Sequence, residues 1–273
     1  MRLKDKYKEL RNTSSALLAT NFYNFETLEG VLQAALQCNS PLILQLSRSS
    51  IEYMGLPLAF QMARTAIDDH GVEAWIHLDH GDSYELAAKC LDEGFDSVMI
   101  DASEKPFSEN VKITQKVVAL ASKYDACVEA ELGYVAKLGQ STEKEGFTMP
   151  EEASRFVDET GVDALAVAIG NVHGFYRKEP RLDLDRLSRI RDVTNAALVL
   201  HGGSGIPDST LRDAIARGIC KVNLATEIKN IFMKTLKTNL ENESEIDLRK
   251  VFPVATHAVT RLVAEKLNVV NSK

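Results

Sequence analysis

Cysteine is scarce in this sequence, and its spacing argues against several small-domain architectures. The chain of 273 residues has four cysteines, and no two of them form a CxxC pair. Each stands far from the others inside an apolar segment, at Cys38, Cys90, Cys127 and Cys220. Closely paired cysteines mark zinc ribbons and disulfide frameworks, so neither is expected here. The pattern favours buried free thiols in a reducing compartment, and we predict a cytoplasmic location.

Long apolar runs and an excess of positive charge are also lacking. No run is long enough to span a membrane, and residues 1–12 are polar and charged, without the apolar core of a signal peptide. The formal net charge of −7 argues against bulk attraction to a phosphate backbone. We therefore expect neither a membrane nor a nucleic acid as a partner. A small anionic substrate remains compatible, because a few local donors suffice to bind one phosphate.

What the chain does contain is enough apolar sequence for one large core. Hydrophobic residues make up 45% and charged residues 26% of the chain, a balance that suits a folded protein. No stretch has the composition of a linker, so we predict a single domain over residues 1–273. Its C-terminal segment, about 228–273, is predicted to be helical and to cap the barrel or pack against another subunit.

Short β-rich runs alternate with longer amphipathic stretches along the chain. The predicted strands are Leu17–Tyr23, Leu42–Leu46, Ala74–Leu78, Ser97–Ile100, Cys127–Leu132, Ala164–Ile169, Leu198–Leu200 and Ile219–Leu224. A helical stretch follows nearly every one of them, which indicates a parallel sheet. Eight such units over about 225 residues favour a closed (β/α)₈ TIM barrel with extra C-terminal helices, and a doubly wound open sheet is the alternative.

Polar residues collect in or just after the last residues of the predicted strands. They are Asn21, Asn24, Ser47, Asp79, His80, Asp101, Glu129, Glu131, Asn171, His173, His201, Ser204, Asn223 and Thr226. In a barrel the carboxyl ends of the strands meet at one mouth, where barrel enzymes carry their catalytic residues. Residues distant in sequence are therefore expected to become neighbours there.

Three of these polar residues are histidines, and together they suggest a metal site. His80, His173 and His201 follow three different predicted strands, and three neutral imidazoles with an open fourth position are a common way to hold catalytic zinc. Acidic residues at the same mouth would supply acceptors for the second ring nitrogens. A single histidine more often forms part of a hydrogen-bonded core, and we interpret His77, inside a strand, in that way.

A glycine-rich run follows the seventh predicted strand. It reads His201-Gly-Gly-Ser-Gly205 and precedes a helix that is predicted to begin near Pro207. Backbone amides in front of a helix bind phosphate well, and the loops after the last two strands are a common phosphate site in barrels. A tight turn without a ligand is the alternative interpretation.

Six ordered motifs resemble those of the class II fructose-bisphosphate and tagatose-bisphosphate aldolases. They are H-L-D-H-G (77–81), S-V-M-I-D (97–101), V-E-A-E-L-G (128–133), T-G-V-D-A-L-A-V-A-I-G-N-V-H-G (160–174), L-V-L-H-G-G-S-G-I-P-D (198–208) and K-V-N-L-A-T-E (221–227). They are long and spread over most of the chain. The resemblance is therefore specific for the superfamily, although less so for the substrate.

The resemblance implies a metal centre and an acid/base residue. His80, His173 and His201 match the catalytic zinc ligands, and Asp79 matches the general acid/base that serves the C4 hydroxyl of the sugar. A second acidic group is implied beside the zinc. Glu131 and Asp101 match acidic residues of the family that lie either at a neighbouring metal position or around the zinc ligands.

The resemblance also implies a phosphate site, a monovalent cation and an oligomer. The residues that match the dihydroxyacetone phosphate site are Gly174, Arg177, Gly202, Gly203, Ser204, Asn223, Ala225 and Thr226. Those that match a Na⁺ or K⁺ site are Val172, Gly174, Gly202 and Ser204. Ser47 and Arg249 match the residues that hold the distal phosphate. In the family that arginine belongs to the adjacent subunit, which implies a homodimer or homotetramer.

Three departures from the family pattern concern the sugar. The loop 134–146 lacks the usual G-G-x-E-D motif, and Glu143 or Glu145 is a candidate for the missing carboxylate. Arg177 stands in place of a lysine, and the two cations hold phosphate with different geometry. Ala225 resembles tagatose-type more than fructose-type members. The identity of the sugar therefore stays open.

The function that the sequence predicts is that of a lyase of carbohydrate metabolism, in glycolysis or a related pathway. The enzyme would cleave a ketose (bis)phosphate reversibly to dihydroxyacetone phosphate and an aldehyde such as glyceraldehyde 3-phosphate. Three alternatives remain. One is a zinc aldolase for a ketose 1-phosphate with a deoxy, carboxylate or sulfonate end. The others are a Schiff-base aldolase, for which Lys221 is the candidate, and a non-catalytic paralogue or partner subunit.

Overall fold

The strands of the computed structural model, which describes residues 1–133, 135, 146–176, 180–242 and 244–271, form a closed barrel. All neighbouring strands are parallel and follow chain order. They are β1 (Leu17–Asn21), β2 (Leu42–Ser47), β3 (Ala74–Gly81), β4 (Ser97–Ile100), β5 (Cys127–Leu132), β6 (Ala164–Val167), β7 (Ala197–Leu200) and β8 (Ile219–Leu224). The predicted TIM barrel is confirmed, and the open sheet is excluded because β1 pairs with β8.

Helices connect these strands and extend the chain after the last one. They are α1 (Leu3–Leu10), α2 (Phe25–Cys38), α3 (Arg48–Met54), α4 (Leu56–His70), α5 (Tyr84–Glu93), α6 (Phe107–Ala121), α7 (Pro150–Thr160), α8 (Leu184–Val193), α9 (Asp208–Ala216), α10 (Thr226–Asn242) and α11 (Leu248–Val270). Local signals fix their ends. Asn24 and Thr27 form a capping box at the start of α2, and Gly71 ends α4 with a φ of 63°.

The barrel separates two apolar cores. The larger core lies between the outer face of the sheet and the helices, and the smaller fills the barrel interior. α1 closes the N-terminal end of the barrel, because its Leu3, Tyr7 and Leu10 pack into the interior core. The Trp75 indole donates a hydrogen bond to the Met1 carbonyl at 3.0 Å. The mouth at the opposite end, where the strands finish, is therefore the open end.

The C-terminal helices pack on the outside of the barrel. α11 lies against α2, and a Cβ added at Gly30 would stand 2.8 Å from the Thr256 carbonyl oxygen, so the two backbones approach closely. α11 begins at Leu248, and Pro253 lies within it. Among the described residues no helix is both long and apolar enough to cross a membrane. The cysteines are unpaired, and only Cys38 is partly exposed.

Candidate active site

The last residues of β3 break the usual alternation of a strand. Successive side chains normally point to opposite faces, so Asp79 and His80 would diverge in a regular strand. His80 instead has a φ of 50°, and the pairing with β4 shifts register between Leu78 and Gly81. Left-handed backbone at a histidine is uncommon and recurs at functional sites. The distortion brings both side chains to the mouth of the barrel.

The three predicted histidines converge at this mouth. His80 Nε2 lies 3.2 Å from His173 Nε2, and the ring centroids of His80 and His201 are 4.7 Å apart. The rings of His173 and His201 are 5.7 Å apart, edge to face. One ring nitrogen of each histidine falls within 4.8 Å of the others. Residues far apart in the sequence thus offer three nitrogen donors to one point.

The donor set fits the ligand preferences of zinc. His201 is fully buried, and its Nδ1 has no hydrogen-bond partner among the described residues. Burying a nitrogen without a partner costs free energy of folding, and a cation at the point where the three rings converge would be the missing partner. Three imidazoles with an open position are a common catalytic zinc site.

Two carboxylates stand beside the histidines. Asp101 Oδ2 lies 2.8 Å from His80 Nδ1, and the Ser103 hydroxyl donates to Asp101 at 2.7 Å and to Glu131 at 3.3 Å. Burial, and then the charge of Asp101, raise the pKa of Glu131 to about 8. His80, Asp101 and Glu131 also form a group of possible metal ligands. A cation between the two carboxyl groups would relieve their repulsion.

Asp79 is held by amide side chains from three strands. Asn21 donates to its Oδ2 at 2.9 Å, while Gln45 and Asn223 donate to its Oδ1 at 3.4 Å each. Burial alone would raise the pKa of Asp79, but the neighbouring His80 and the other polar groups outweigh it, so the pKa lies below its ordinary value. The side chain is therefore kept as a charged proton acceptor. Gln45 was not singled out from the sequence, although an amide inside the apolar run of β2 was a signal.

Lys221 does not have the surroundings of a Schiff-base nucleophile. Its Nζ lies 2.6 Å from Glu129 Oε2, and its side chain is fully buried inside the barrel. A nucleophilic lysine must be desolvated and able to lose its proton at the mouth. Here Lys221 is instead paired with a buried carboxylate inside the barrel, and the structure gives no support to the Schiff-base alternative.

The glycine-rich loop after β7 touches the loop after β6 and the strand β8. Gly202 has a φ of 68°, and a Cβ added there would stand 2.0 Å from the Val172 carbonyl oxygen. Gly203 donates its amide to the Asn223 carbonyl at 3.0 Å. The Glu227 amide donates to the Ser204 hydroxyl at 3.2 Å. Only glycine fits the closest of these approaches, and together they join the predicted phosphate residues Gly202, Gly203, Ser204 and Asn223.

Tyr176 joins the loop after β6 to the loop after β7. Its hydroxyl accepts the Val172 amide at 3.1 Å and donates to the Gly202 carbonyl at 3.0 Å. Asn171 makes a second link, because its amide donates to the His201 carbonyl at 3.1 Å. Nothing in the residue pattern singles out Tyr176, since a tyrosine in a loop has many uses. Only the fold reveals that it bridges the segments carrying two of the histidines.

The other described residues that were predicted to bind the sugar phosphate lie at or after the ends of β2, β6 and β8. Ser47 ends β2 opposite Asp79 and bonds to the hydroxyls of Ser49 and Ser50, both at 3.0 Å. Gly174 has a φ of 90°, Ala225 follows β8, and Thr226 begins α10.

Arg249 is not joined to this cluster within the described part of the chain. Arg249 is 89% exposed and, among the described residues, hydrogen-bonds only to Asp247. Arg177, Glu143 and Glu145 lie outside the described residues.

The known proteins that this chain resembles over nearly its whole length are aldolases. A family model described as fructose-bisphosphate aldolase class-II matches residues 1–273. The chain is 38% identical to a fructose-bisphosphate aldolase of Helicobacter pylori, over 93% of this chain and 92% of that protein. Among solved structures, the YdjI aldolase from Escherichia coli K12 superposes with a TM-score of 0.89 at 32% identity, covering 99% of this chain and 97% of that one.

A more distant structure shares the fold alone. The fructose-bisphosphate aldolase from Campylobacter jejuni has a TM-score of 0.84 at 21% identity, covering 98% of this chain and 94% of that chain. The chain belongs to the class-II fructose-bisphosphate aldolase family and is a class II aldolase, an aldehyde-lyase. The predicted family and enzyme class are thereby confirmed. The non-catalytic alternative loses its basis.

Proposed function

We propose that this class II aldolase depends on zinc and cleaves a ketose (bis)phosphate to dihydroxyacetone phosphate and an aldehyde such as glyceraldehyde 3-phosphate. The observation that carries the proposal is the convergence of three imidazoles beside Asp79, with a buried Nδ1 of His201 that lacks a hydrogen-bond partner in the described structure. His80, His173 and His201 would hold the metal. When bound, zinc supplies a Lewis acid that polarises the carbonyl of the sugar.

The residues of the chain would bind, orient and deprotonate the substrate. Asp79, kept charged by its amide partners, would accept the proton of the C4 hydroxyl as the C3–C4 bond breaks. The electron pair of that bond would stay with C3, which must then take up a proton to complete dihydroxyacetone phosphate. The amides of the loop at 202–204, with Asn223 and Thr226, would hold the phosphate so that the reacting carbon keeps its place. Gly174, Ala225 and Arg177 would border this phosphate. Backbone oxygens around Val172 and Gly202 would take a monovalent cation, Na⁺ or K⁺.

Ser47 and the loop 134–146 are the parts of the chain that bear on the far end of the sugar. Ser47 lies opposite Asp79 on β2 and is a candidate to contact a distal phosphate. The loop 134–146 departs from the family motif, so a ketose 1-phosphate with a deoxy, carboxylate or sulfonate end is retained as the second candidate. The proposed pathway is carbohydrate metabolism, in glycolysis or beside it, in the cytoplasm.

We further propose that the active form is a homodimer or homotetramer. Arg249 lies beside a groove of about 420 Å³ between α2 and α11, which Phe25, Leu248 and Phe252 also line. Phe25 is 56% and Leu248 61% exposed, and their position on one groove gives it an apolar lining that a partner could cover. Within one chain, Arg249 has no described contact with the mouth residues. An adjacent subunit would cover the exposed apolar side chains and would bring Arg249 to the mouth of a neighbouring barrel.

Chelation tests the dependence on zinc. EDTA should abolish triose phosphate release in a coupled assay, and added zinc should restore it, because the metal polarises the carbonyl. His201→Ala should lose bound zinc and activity together. His70→Ala is the matched control and should keep both, because His70 ends the outer helix α4 and contacts Glu29 rather than the mouth. Turnover that resists EDTA would exclude the proposal.

A substrate panel tests the sugar. Fructose 1,6-bisphosphate, tagatose 1,6-bisphosphate and 1-phosphates with altered ends should be compared by kcat/KM in the same assay. The proposed function requires one of the bisphosphates to be the best substrate. A clear preference for an end-modified 1-phosphate would instead support the second candidate. Inactivation by borohydride with substrate would indicate a Schiff base and contradict both.

A further inference from the structure

A buried ion pair lies inside the barrel beneath the three histidines. Lys221 Nζ is 2.6 Å from Glu129 Oε2, and the side chains are 0% and 1% exposed. Removing two charges from water is costly, and an apolar pair of similar volume is often as stable. The proton transfer assigned to Asp79 does not use either residue. Their other hydrogen bonds indicate what the pair does.

The direction of every hydrogen bond in this network follows from Lys221. An ammonium group can only donate, so Lys221 donates to Glu129 and, at 3.3 Å, to His77 Nε2. His77 must then carry its hydrogen on Nδ1, where it donates to the Ser97 hydroxyl at 2.9 Å. Glu129, as a carboxylate, can only accept. The imidazole ring on the other side of Glu129 must therefore donate a hydrogen to this carboxylate.

That ring belongs to His201. Its Nε2 lies 2.9 Å from Glu129 Oε1, so Nε2 carries the hydrogen and donates it. Nδ1 is then the nitrogen with a free lone pair. It has no hydrogen-bond partner among the described residues, and it lies 3.3 Å from Glu131 Oε2, on the side of the metal-ligand cluster. The buried carboxylate thus selects one tautomer of a proposed metal ligand.

His80 has the opposite arrangement. Its Nδ1 faces Asp101 Oδ2 at 2.8 Å, and its Nε2 faces His173 Nε2 at 3.2 Å. The hydrogen on Nδ1 is directed to the carboxylate, and Nε2 offers the lone pair. Two rings in one cluster therefore present different nitrogens. Each is set by a carboxylate on the side away from the cluster.

We infer that Glu129 and Lys221 are positioning residues that hold His201 with its hydrogen on Nε2 and so present Nδ1 as its metal-binding atom. The inference rests on the proposed zinc site. In this role Lys221 acts through Glu129 and does not contact the substrate. The ammonium keeps Glu129 an obligate acceptor, and Glu129 in turn fixes the ring.

Zinc affinity is the first test. The double variant Glu129→Gln/Lys221→Met keeps the volume and removes both charges together, so no unpaired charge is left in the interior. The amide introduced at position 129 can turn either its oxygen or its nitrogen to His201, and the tautomer is no longer specified. We expect the zinc dissociation constant, measured by chelator competition, to rise roughly 10- to 100-fold. Circular dichroism should confirm that the variant is folded.

Tyr7→Phe is the matched control for this variant. It removes another buried polar group from the barrel interior, a hydroxyl without a described partner, at the end opposite the mouth. Its zinc affinity should stay within about twofold of that of the unaltered protein, because no metal-ligand hydrogen bond is changed. An unchanged zinc affinity in the folded double variant would overturn the inference. So would an equal loss in Tyr7→Phe.

The tautomer itself is the second test and does not depend on activity. Long-range ¹⁵N–¹H spectra of the zinc-loaded protein, labelled at its six histidines, report which ring nitrogen carries hydrogen. His201 should show hydrogen on Nε2 and metal on Nδ1, and His80 the reverse. Coordination of His201 through Nε2 would refute the inference and leave the zinc site intact. A protein that binds no zinc would refute the proposed function instead.

Discussion

At the scale of single residues, the site depends on where protons and lone pairs are directed. Asp79 receives amide hydrogens from three strands, and both of its carboxylate oxygens accept at least one of them. A group held in this way is pre-organised to accept one more proton from a bound hydroxyl. The surrounding amides do the orienting, and the carboxylate would do the chemistry.

Asp79→Asn should reduce kcat strongly while zinc stays bound. The variant has nearly the same shape but no basic oxygen, and its own amide would oppose the donors Asn21 and Gln45. We expect kcat to fall about 10²- to 10⁴-fold, the usual range for loss of a general base. Steady-state kinetics and metal analysis check this. Asn21→Ala, which removes one donor only, should lose less, and a kcat unchanged in Asp79→Asn would contradict the assigned role.

Tyr176→Phe should weaken binding of the phosphate more than it slows the chemistry. The change deletes one hydroxyl, which leaves the Val172 amide and the Gly202 carbonyl without their partner. An unpaired buried group costs about 1–3 kcal/mol, and the loop that holds the phosphate would loosen. We expect KM to rise roughly tenfold with a smaller change in kcat. Tyr7→Phe serves as the control, and an equal KM in both variants would argue against the bridge.

At the scale of elements, close backbone approaches position the loops of the mouth. Gly202 and Gly71 have nearly the same positive φ, 68° and 63°, but different neighbours. A Cβ at Gly202 would strike the Val172 carbonyl, whereas a Cβ at Gly71, at the end of α4, meets nothing within 4 Å. A side chain at either position would strain the backbone, but only a side chain at Gly202 would also collide with a neighbouring loop.

Gly202→Ala should disrupt the site, and Gly71→Ala should not. Both variants place a side chain at a left-handed residue, which costs about 1–2 kcal/mol. Gly202→Ala must also displace the segment before His173, so we expect activity and zinc affinity to fall along with stability. Urea unfolding and kcat/KM check the pair. Equal losses of activity in the two variants would show that crowding between the loops is unimportant.

Much of the element pattern could be predicted from the sequence because buried parallel strands are short, apolar and regularly spaced. β4 and β5 have the bounds that the pattern predicts, and β1 and β6 are two residues shorter. α1 and α3 were missed. α1 has only a few apolar residues among charged ones, and its role depends on the interior that it closes. The left-handed backbone at His80 could not be predicted either, because no residue type in that segment indicates it.

At the scale of the whole molecule, the main question is how many chains build one site. The three histidines come together within a single chain, so the proposed metal site needs no residue from a partner. The proposed distal phosphate ligand is different, since Arg249 lies beside an exposed apolar groove. Chain topology predicted the first arrangement, whereas a contact between subunits leaves no trace in the pattern of one chain.

Mixed dimers should reveal whether Arg249 acts on the neighbouring active site. Arg249→Ala and Asp79→Asn should each be nearly inactive as homodimers on a bisphosphate substrate. If Arg249 serves the adjacent subunit, a mixed dimer contains one site with both residues intact and one site with neither. Random assembly of an equal mixture should then restore about a quarter of the activity of the unaltered protein, because half of the dimers are mixed. Activity no greater than the sum of the two separate variants would show that Arg249 acts within its own chain or not at all. Capture through an affinity tag carried by one variant would verify that mixed dimers had formed.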